Sequence, residues 1–190
     1  MKLKIIILTL IFLSGCDLLS TRTPEDPTSS RSNFVSATTP EILFQNLKDS
    51  FSEKIVENYL ACFVDQSFLE VEYSFIPSAG AVAQSYIFTN WTLNDERQYF
   101  NSVKSIVLEN APITLELNNQ VSNPSGESAI YQFEYVLSIP TSDPTVPASY
   151  EGSVQFKINL DSRQIWVITE WQDISRENST SWSELKGRFY

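Results

Sequence analysis

Apolar positions recur along this chain with two different periods, and the change from one to the other divides it. Leu43, Phe44 and Leu47 return at helical spacing behind Thr39-Pro40-Glu41. There Thr39 suits an N-cap, Pro40 the first helical position, and Glu41 the positive end of the helix dipole. Ile55, Val56, Tyr59, Leu60 and Phe63 predict a second helix from about Glu53 to the break at Asp65-Gln66. The period then falls to two. Leu69, Val71, Tyr73 and Phe75 alternate with Phe68, Glu70, Glu72 and Ser74, which predicts a strand over 68–76, followed by a loop of small residues over 77–84. Thr92 to Asp95 supplies capping residues for a third helix carrying Tyr99, Phe100, Val103 and Val107.

From Ile113 onward alternation dominates. Ile113, Leu115 and Leu117 form one run, and Tyr131, Phe133, Tyr135, Leu137 and Ile139 a second. After a Pro-rich turn over 140–147, Val154, Phe156, Ile158 and Leu160 form a third, joined through a turn at 160–163 to a last strand over 165–171. Such regular alternation predicts a sheet with one face packed and one face wet. Ser181-Trp182-Ser183-Glu184 is a capping box. It opens a short helix that sets Trp182, Leu185 and Phe189 on one side and predicts a lid or plug on the domain.

The N-terminus follows another pattern. Met1-Lys2-Leu3-Lys4 is a short basic stretch, and Ile5 to Leu13 is an apolar run too short to span a bilayer as a permanent helix. Leu13-Ser14-Gly15-Cys16 then resembles the bacterial lipobox, which implies a signal peptide over 1–15 and a diacylglyceryl group on Cys16. Residues 16–38 are rich in Ser, Thr and Pro, lack apolar periodicity, and read as a flexible tether. The domain is expected over 39–190. With Cys16 acylated, Cys62 has no partner for an intrachain disulfide and reads as a small buried hydrophobe. Stable anchoring to a membrane, with the domain outside the cytoplasm in the cell envelope, is the expected location.

Composition narrows the chemistry. The chain contains no His, which removes Ser-His-Asp and Cys-His nucleophile systems and most catalytic zinc sites. Five Gly in 190 residues argue against a glycine-rich phosphate or dinucleotide fold. Without Lys2 and Lys4, 11 basic residues face 23 acidic ones. A surface so negative repels nucleic acid and anionic headgroups, so the lipid, not a basic patch, must supply the membrane contact. No cofactor and no metal ligand set is expected.

Helices first, one strand, a third helix and then a run of antiparallel strands form an α+β pattern. The residues Thr39-Pro40-Glu41 with Leu43 and Leu47 resemble the first helix of the nuclear transport factor 2-like (NTF2-like) superfamily. Tyr59-Leu60 and Phe68 resemble its second helix and first strand, and Ile165-Trp166-Val167-Ile168 with Trp171 and Asp173 its last strand. The tail Thr180-Ser181-Trp182-Ser183-Glu184-Leu185-Lys186-Gly187 is similar to that of uncharacterised bacterial lipoproteins of the superfamily. The resemblance implies a cone-shaped fold, with N-terminal helices packed on a strongly curved antiparallel sheet around a pocket and a short C-terminal helix. It also admits a homodimer through the outer sheet face. The dehydratases of the superfamily need a His–Asp pair that is absent here, and no catalytic residue carries over.

Among polar residues, Glu70 and Glu72 share a strand face, and Glu134 and Glu170 fall on polar strand positions; all four read as the wet side of the sheet. Asp173 sits at a strand end, where turn capping is the expected role. Tyr73, Tyr99, Tyr131, Tyr135 and Trp171 fall on apolar faces with polar tips, and they are the candidate lining of a site for a hydrophobic small ligand, against a plain core role. Two functions follow. The leading one is a membrane-anchored envelope lipoprotein whose non-enzymatic domain binds a ligand or an envelope protein. The alternative is a small pocket enzyme of isomerase or hydrolase type using a buried Asp or Glu with Tyr. A buried carboxylate beside a Tyr in an open pocket favours the enzyme; an interior filled with aromatic side chains favours binding or scaffolding.

Overall fold

The computed structural model describes residues 32–84 and 87–190, with side chains omitted at 83 and 84. The expected signal peptide over 1–15, the expected lipidation site Cys16 and most of the expected tether over 16–38 lie outside the described residues. Among those described, no helix is long and apolar enough to cross a membrane.

Among the described residues, five helices and five strands follow in order: α1 Pro40–Glu53, α2 Val56–Leu60, β1 Ser74–Ile76, α3 Ala79–Gln84, a 3-10 turn Ile87–Asn90, α4 Leu93–Ile106, β2 Thr114–Ser125, β3 Ser128–Ser138, β4 Ser149–Leu160, β5 Trp166–Ser175 and α5 Trp182–Arg188. α1 starts where the sequence places it, with Thr39 Oγ1 accepting from the Ile42 amide. Lys54, in the left-handed region at φ 57°, ends it and splits the expected second helix down to the five residues of α2.

The sheet order is β1-β5-β4-β3-β2. The four long strands are antiparallel, while β1 adds to β5 in parallel, so the sheet is mixed. The strand expected over 68–76 is reduced to β1. Phe68 and Val71 are exposed, and the alternation upstream belongs to a loop. Phe63 makes an isolated parallel bridge to Ile168 and occupies β5's edge in its place. The segment read as a loop of small residues contains α3, which forms despite Gly80 in its first turn, with Ala81 buried against the core. β2 runs well past the apolar run Ile113–Leu117, through a bulge at residues 119–120 to a two-residue turn at Gly126-Glu127 where Gly126 has φ 62°.

Helices α1, α2, α4 and α5 supply the apolar side chains that cover the inner face of the sheet. Phe44 on α1 packs its ring against Tyr131, Phe133 and Phe156 of β3 and β4 at 4.8 to 5.6 Å. Phe51, Tyr59 and Phe100 join the helices to one another, and Phe51 also meets Trp182 at 5.5 Å. A bulge at Thr169, between the pairs Lys157↔Glu170 and Ile158↔Ile168, resets the parity of β5. That is why Ile168 and Trp171, three residues apart, both enter the core while Val167 is buried outside it.

Packing begins earlier than Thr39. Residues 32–38, read as tether, lie against the domain: Asn46 brackets Val35 through both backbone groups, and the Trp166 amide donates to the Ala37 carbonyl at 2.8 Å. Cys62 is fully buried, free of any disulfide, and donates through Sγ to the Asn58 carbonyl; burial pushes its thiol up.

Candidate functional site

The buried polar centre of the domain is assembled from α4 and α5. Thr92 closes the start of α4, with both its amide and its hydroxyl donating to Asp95 Oδ2 at 2.6 Å. The inward stripe Tyr99, Phe100 and Val103 then extends back one turn to Glu96, so the Glu96 carboxylate enters the core and is wholly buried. α5 is set by its own capping box, in which the Ser181 amide donates to Glu184 Oε2 at 2.6 Å. Its inward face carries Trp182 and Leu185 and, beside them, Lys186, also wholly buried.

Lys186 Nζ donates to Glu96 Oε1. Three more donors meet the same carboxylate: Tyr59 Oη at 2.7 Å on Oε2, with Tyr73 Oη at 2.6 Å and Trp91 Nε1 at 2.8 Å on Oε1. Three of these four donors crowd Oε1 and one meets Oε2, so Oε2 keeps one acceptor site of its two. The ammonium lies 3.7 Å from the centre of the Trp171 ring and 3.8 Å from that of Phe75, a cation–π setting without water. Burial pulls the Lys186 amine down to about 8, against the opposing pull of Glu96. Burial, with Glu96 adding to it, pushes the phenols of Tyr59 and Tyr73 well up, so both stay protonated donors.

A second buried group lies beside it. Asp173 accepts from Tyr135 Oη at 2.8 Å, from the Ser183 amide at 2.7 Å and from Ser183 Oγ. Tyr135 Oη in turn accepts from the Trp182 amide at 2.7 Å. Ser78 ties the same helix start to the β1–α3 connection through Ser183 Oγ and Ser181 Oγ. Asp173 therefore caps α5 from inside the core rather than capping a turn at the strand end, which corrects the sequence-based reading. Every free amide of the first turn of α5 is thereby met without water.

The five candidate lining residues divide. Tyr73 is half-buried and borders a surface hollow of about 770 Å³, whose walls include Leu60, Phe63, Leu93, Arg97 and Arg163. Tyr99, Tyr135 and Trp171 lie deep in the core: Tyr99 Oη accepts from Trp182 Nε1 at 2.8 Å, and Trp171 meets the Trp182 ring edge-on at 4.5 Å. Tyr131 packs at the Phe44 end of the core. None of these four lines the hollow. Both arginines of the hollow are engaged, Arg97 with Glu57 and Arg163 with Asp161, and the Arg163 guanidinium stacks on Phe68 at 3.7 Å.

Glu70 and Glu72 are exposed. Glu134 and Glu170 do not meet: Glu134 pairs with Arg176 at 3.1 Å, and Glu170 stands opposite Lys157. The sequence reading missed Glu96 and Lys186. The available signal was position, since Glu96 precedes Phe100 by one helical turn and Lys186 follows Trp182 by one.

No protein-family model and no curated protein sequence matches this chain, but solved structures do. A putative scytalone dehydratase from Novosphingobium aromaticivorans is similar at TM-score 0.55 and 9% identity, covering 74% of this chain and 88% of that one. An NTF2-like protein of unknown function from Pseudomonas putida is similar at TM-score 0.52 and 8% identity, covering 74% and 89%. The beta subunit of the benzoate 1,2-dioxygenase from Burkholderia mallei is similar at TM-score 0.54 and 12% identity, covering 73% and 89%. The fold of this chain is NTF2-like.

Proposed function

We propose that this protein is a lipoprotein of the bacterial cell envelope, held to a membrane through acylated Cys16, and that its NTF2-like domain binds or scaffolds rather than catalyses. The anchoring half rests on the coincidence of basic start, short apolar run, small residues and Cys16. The observation that carries the other half is the filled interior around Glu96. A general base needs a free lone pair within reach of a substrate proton. Glu96 Oε2 keeps one lone pair, but the carboxylate is wholly buried, and Lys186, Trp182 and Leu185 fill the interior where a substrate would sit. Partners are then met at the surface. The hollow beside Tyr73 sets Leu60, Phe63 and Leu93 among polar groups that include Asp65 and Glu72, with its arginines already paired, and such a mixed wall suits a small molecule with both apolar and polar parts or a segment of an envelope protein.

One contact favours the alternative of a pocket enzyme. Tyr73, at the rim of the hollow, touches Glu96 directly, so withdrawal of Lys186 would leave an acid and a phenol at the end of an open cavity. Access to Lys186 separates the two readings.

The anchor is tested by growing cells with an alkyne-bearing palmitate. Label on the wild-type chain and none on Cys16→Ser is the expected result. Label retained by Cys16→Ser overturns the lipoprotein assignment.

A further inference from the structure

A second, smaller hollow of about 380 Å³ lies against α5, away from the buried pair. Phe88, Ala81 and Pro147 form its apolar wall, and Arg188, Glu184 and Tyr150 its polar one. Arg188 and Glu184 are four residues apart on one helix and so project from the same side, about 6 Å apart. Each has capacity to spare. Arg188 donates one N–H of its five, from Nη1 to the Thr145 carbonyl, and Glu184 uses Oε2 for the Ser181 amide and leaves Oε1 without a partner among the described residues.

Tyr150 is the feature that packing does not explain. The residue is 1% exposed, yet its hydroxyl has no hydrogen-bond partner among the described residues. Leaving such a group unpaired in a core is destabilising. The charged groups bearing on that hydroxyl are Arg188 and Glu184, both in the wall of the hollow. Burial pushes the phenol up to about 12, so it stays protonated and able to donate. Arg188 is exposed and held through one bond, and it is the part of the wall free to move when a guest reaches Tyr150.

We propose that this hollow binds a small zwitterion of the α-amino-acid type, with Arg188 and Tyr150 on the carboxylate, Glu184 on the ammonium, and Phe88 and Pro147 against an apolar side chain. Charge selects this class. The wall offers one guanidinium, Arg188, and one carboxylate, Glu184, side by side, so a plain anion meets Glu184 as well as Arg188, while a zwitterion answers both. The proposal deepens the reading of the domain as a binding module.

The test is calorimetric titration of the full chain in detergent with L-leucine, L-phenylalanine and L-alanine at millimolar concentration. Leucine analogues lacking one charge, 4-methylpentanoate and 3-methylbutylamine, serve as controls. At least one amino acid binds, and each single-charge analogue binds at least about tenfold more weakly than leucine if leucine is the ligand. Arg188→Gln and Tyr150→Phe each lose about tenfold or more in affinity, while their denaturation midpoints stay close to or above that of the wild type, since Phe keeps the buried ring of Tyr150 and drops only its unpaired hydroxyl, and Arg188 is exposed and held through one bond. No heat with any of the three amino acids, or equal binding by the variants, overturns the site. Binding followed by conversion of the amino acid, read by mass spectrometry of the spent solution, overturns the binding reading instead and keeps the site.

Discussion

Lys186 and Glu96 stand 90 residues apart in the chain and form one ion pair with neither side chain exposed. Breaking a buried pair from one side leaves the other charge stranded, which costs about 3–5 kcal/mol, whereas replacing both partners with neutral groups costs far less. Lys186→Met is therefore expected to destabilise the domain by about that amount. The double variant Lys186→Met, Glu96→Gln is expected to recover a large part of it, since a carboxamide oxygen still accepts from Tyr59 or Tyr73. Chemical denaturation of the two variants checks this, and a double variant weaker than the single would contradict it.

The same pair gives a pH dependence of definite sign. The Lys186 amine sits near 8 in the fold and at the ordinary 10.5 in the unfolded chain. Between those values the unfolded chain binds the extra proton, so this group adds stability as pH rises through the interval and withdraws it as pH falls towards 8. The buried tyrosines act the other way, but only above their ordinary value of 10, where the unfolded chain ionises first. The stability difference between wild type and Lys186→Met should accordingly grow in favour of the wild type from pH 8 to pH 10. A difference that shrinks over that range would contradict the assignment.

α5 is a structural plug. Trp182 and Leu185 are fully buried, Trp182 touches Phe51, Tyr135 and Trp171, and Asp173 has two of its three donors on this helix. Removing residues 180–190 should cost several kcal/mol, at least the ~3–5 kcal/mol of deleting one buried Trp. Equal denaturation midpoints for the intact and shortened chains would show the helix to be loosely held.

The start of the domain can be measured in the same way. A fragment beginning at Ser32 keeps the bonds of Asn46 to Val35 and of Ala37 to Trp166, and one beginning at Thr39 loses them. The longer fragment should be more stable by about 1–3 kcal/mol. Equal stability would return residues 32–38 to the tether.

Much of this architecture is legible in the residues. The caps at Thr39, Thr92 and Ser181, the four long strands and the inward turn of the tail all follow from side-chain period and capping chemistry, which act locally. What was not legible depends on tertiary pairing. The alternation over 68–73 looks like a strand, but only Ser74–Ile76 finds an edge to pair with, because Phe63 takes the place beside Ile168. The bulge at Thr169 inverts a parity that counting residues cannot foresee. Nothing local marks Glu96 and Lys186 as buried, since charge normally marks solvent. Only their meeting across the fold, with Tyr59, Tyr73 and Trp91 arranged around them, makes burial of both tolerable.

The closed interior is the claim on which the functional reading turns, and reductive methylation of the native full chain, followed by mass spectrometry of its lysines, tests it most directly. Lys104 and Lys157 are exposed, and Lys186 is fully buried against Glu96 and the rings of Trp171 and Phe75. The account predicts rapid modification of Lys104 and Lys157, with Lys186 left unmodified until the chain is denatured. Modification of Lys186 at the rate of Lys104 would contradict it, and would put Glu96 and Tyr73 within reach of a substrate.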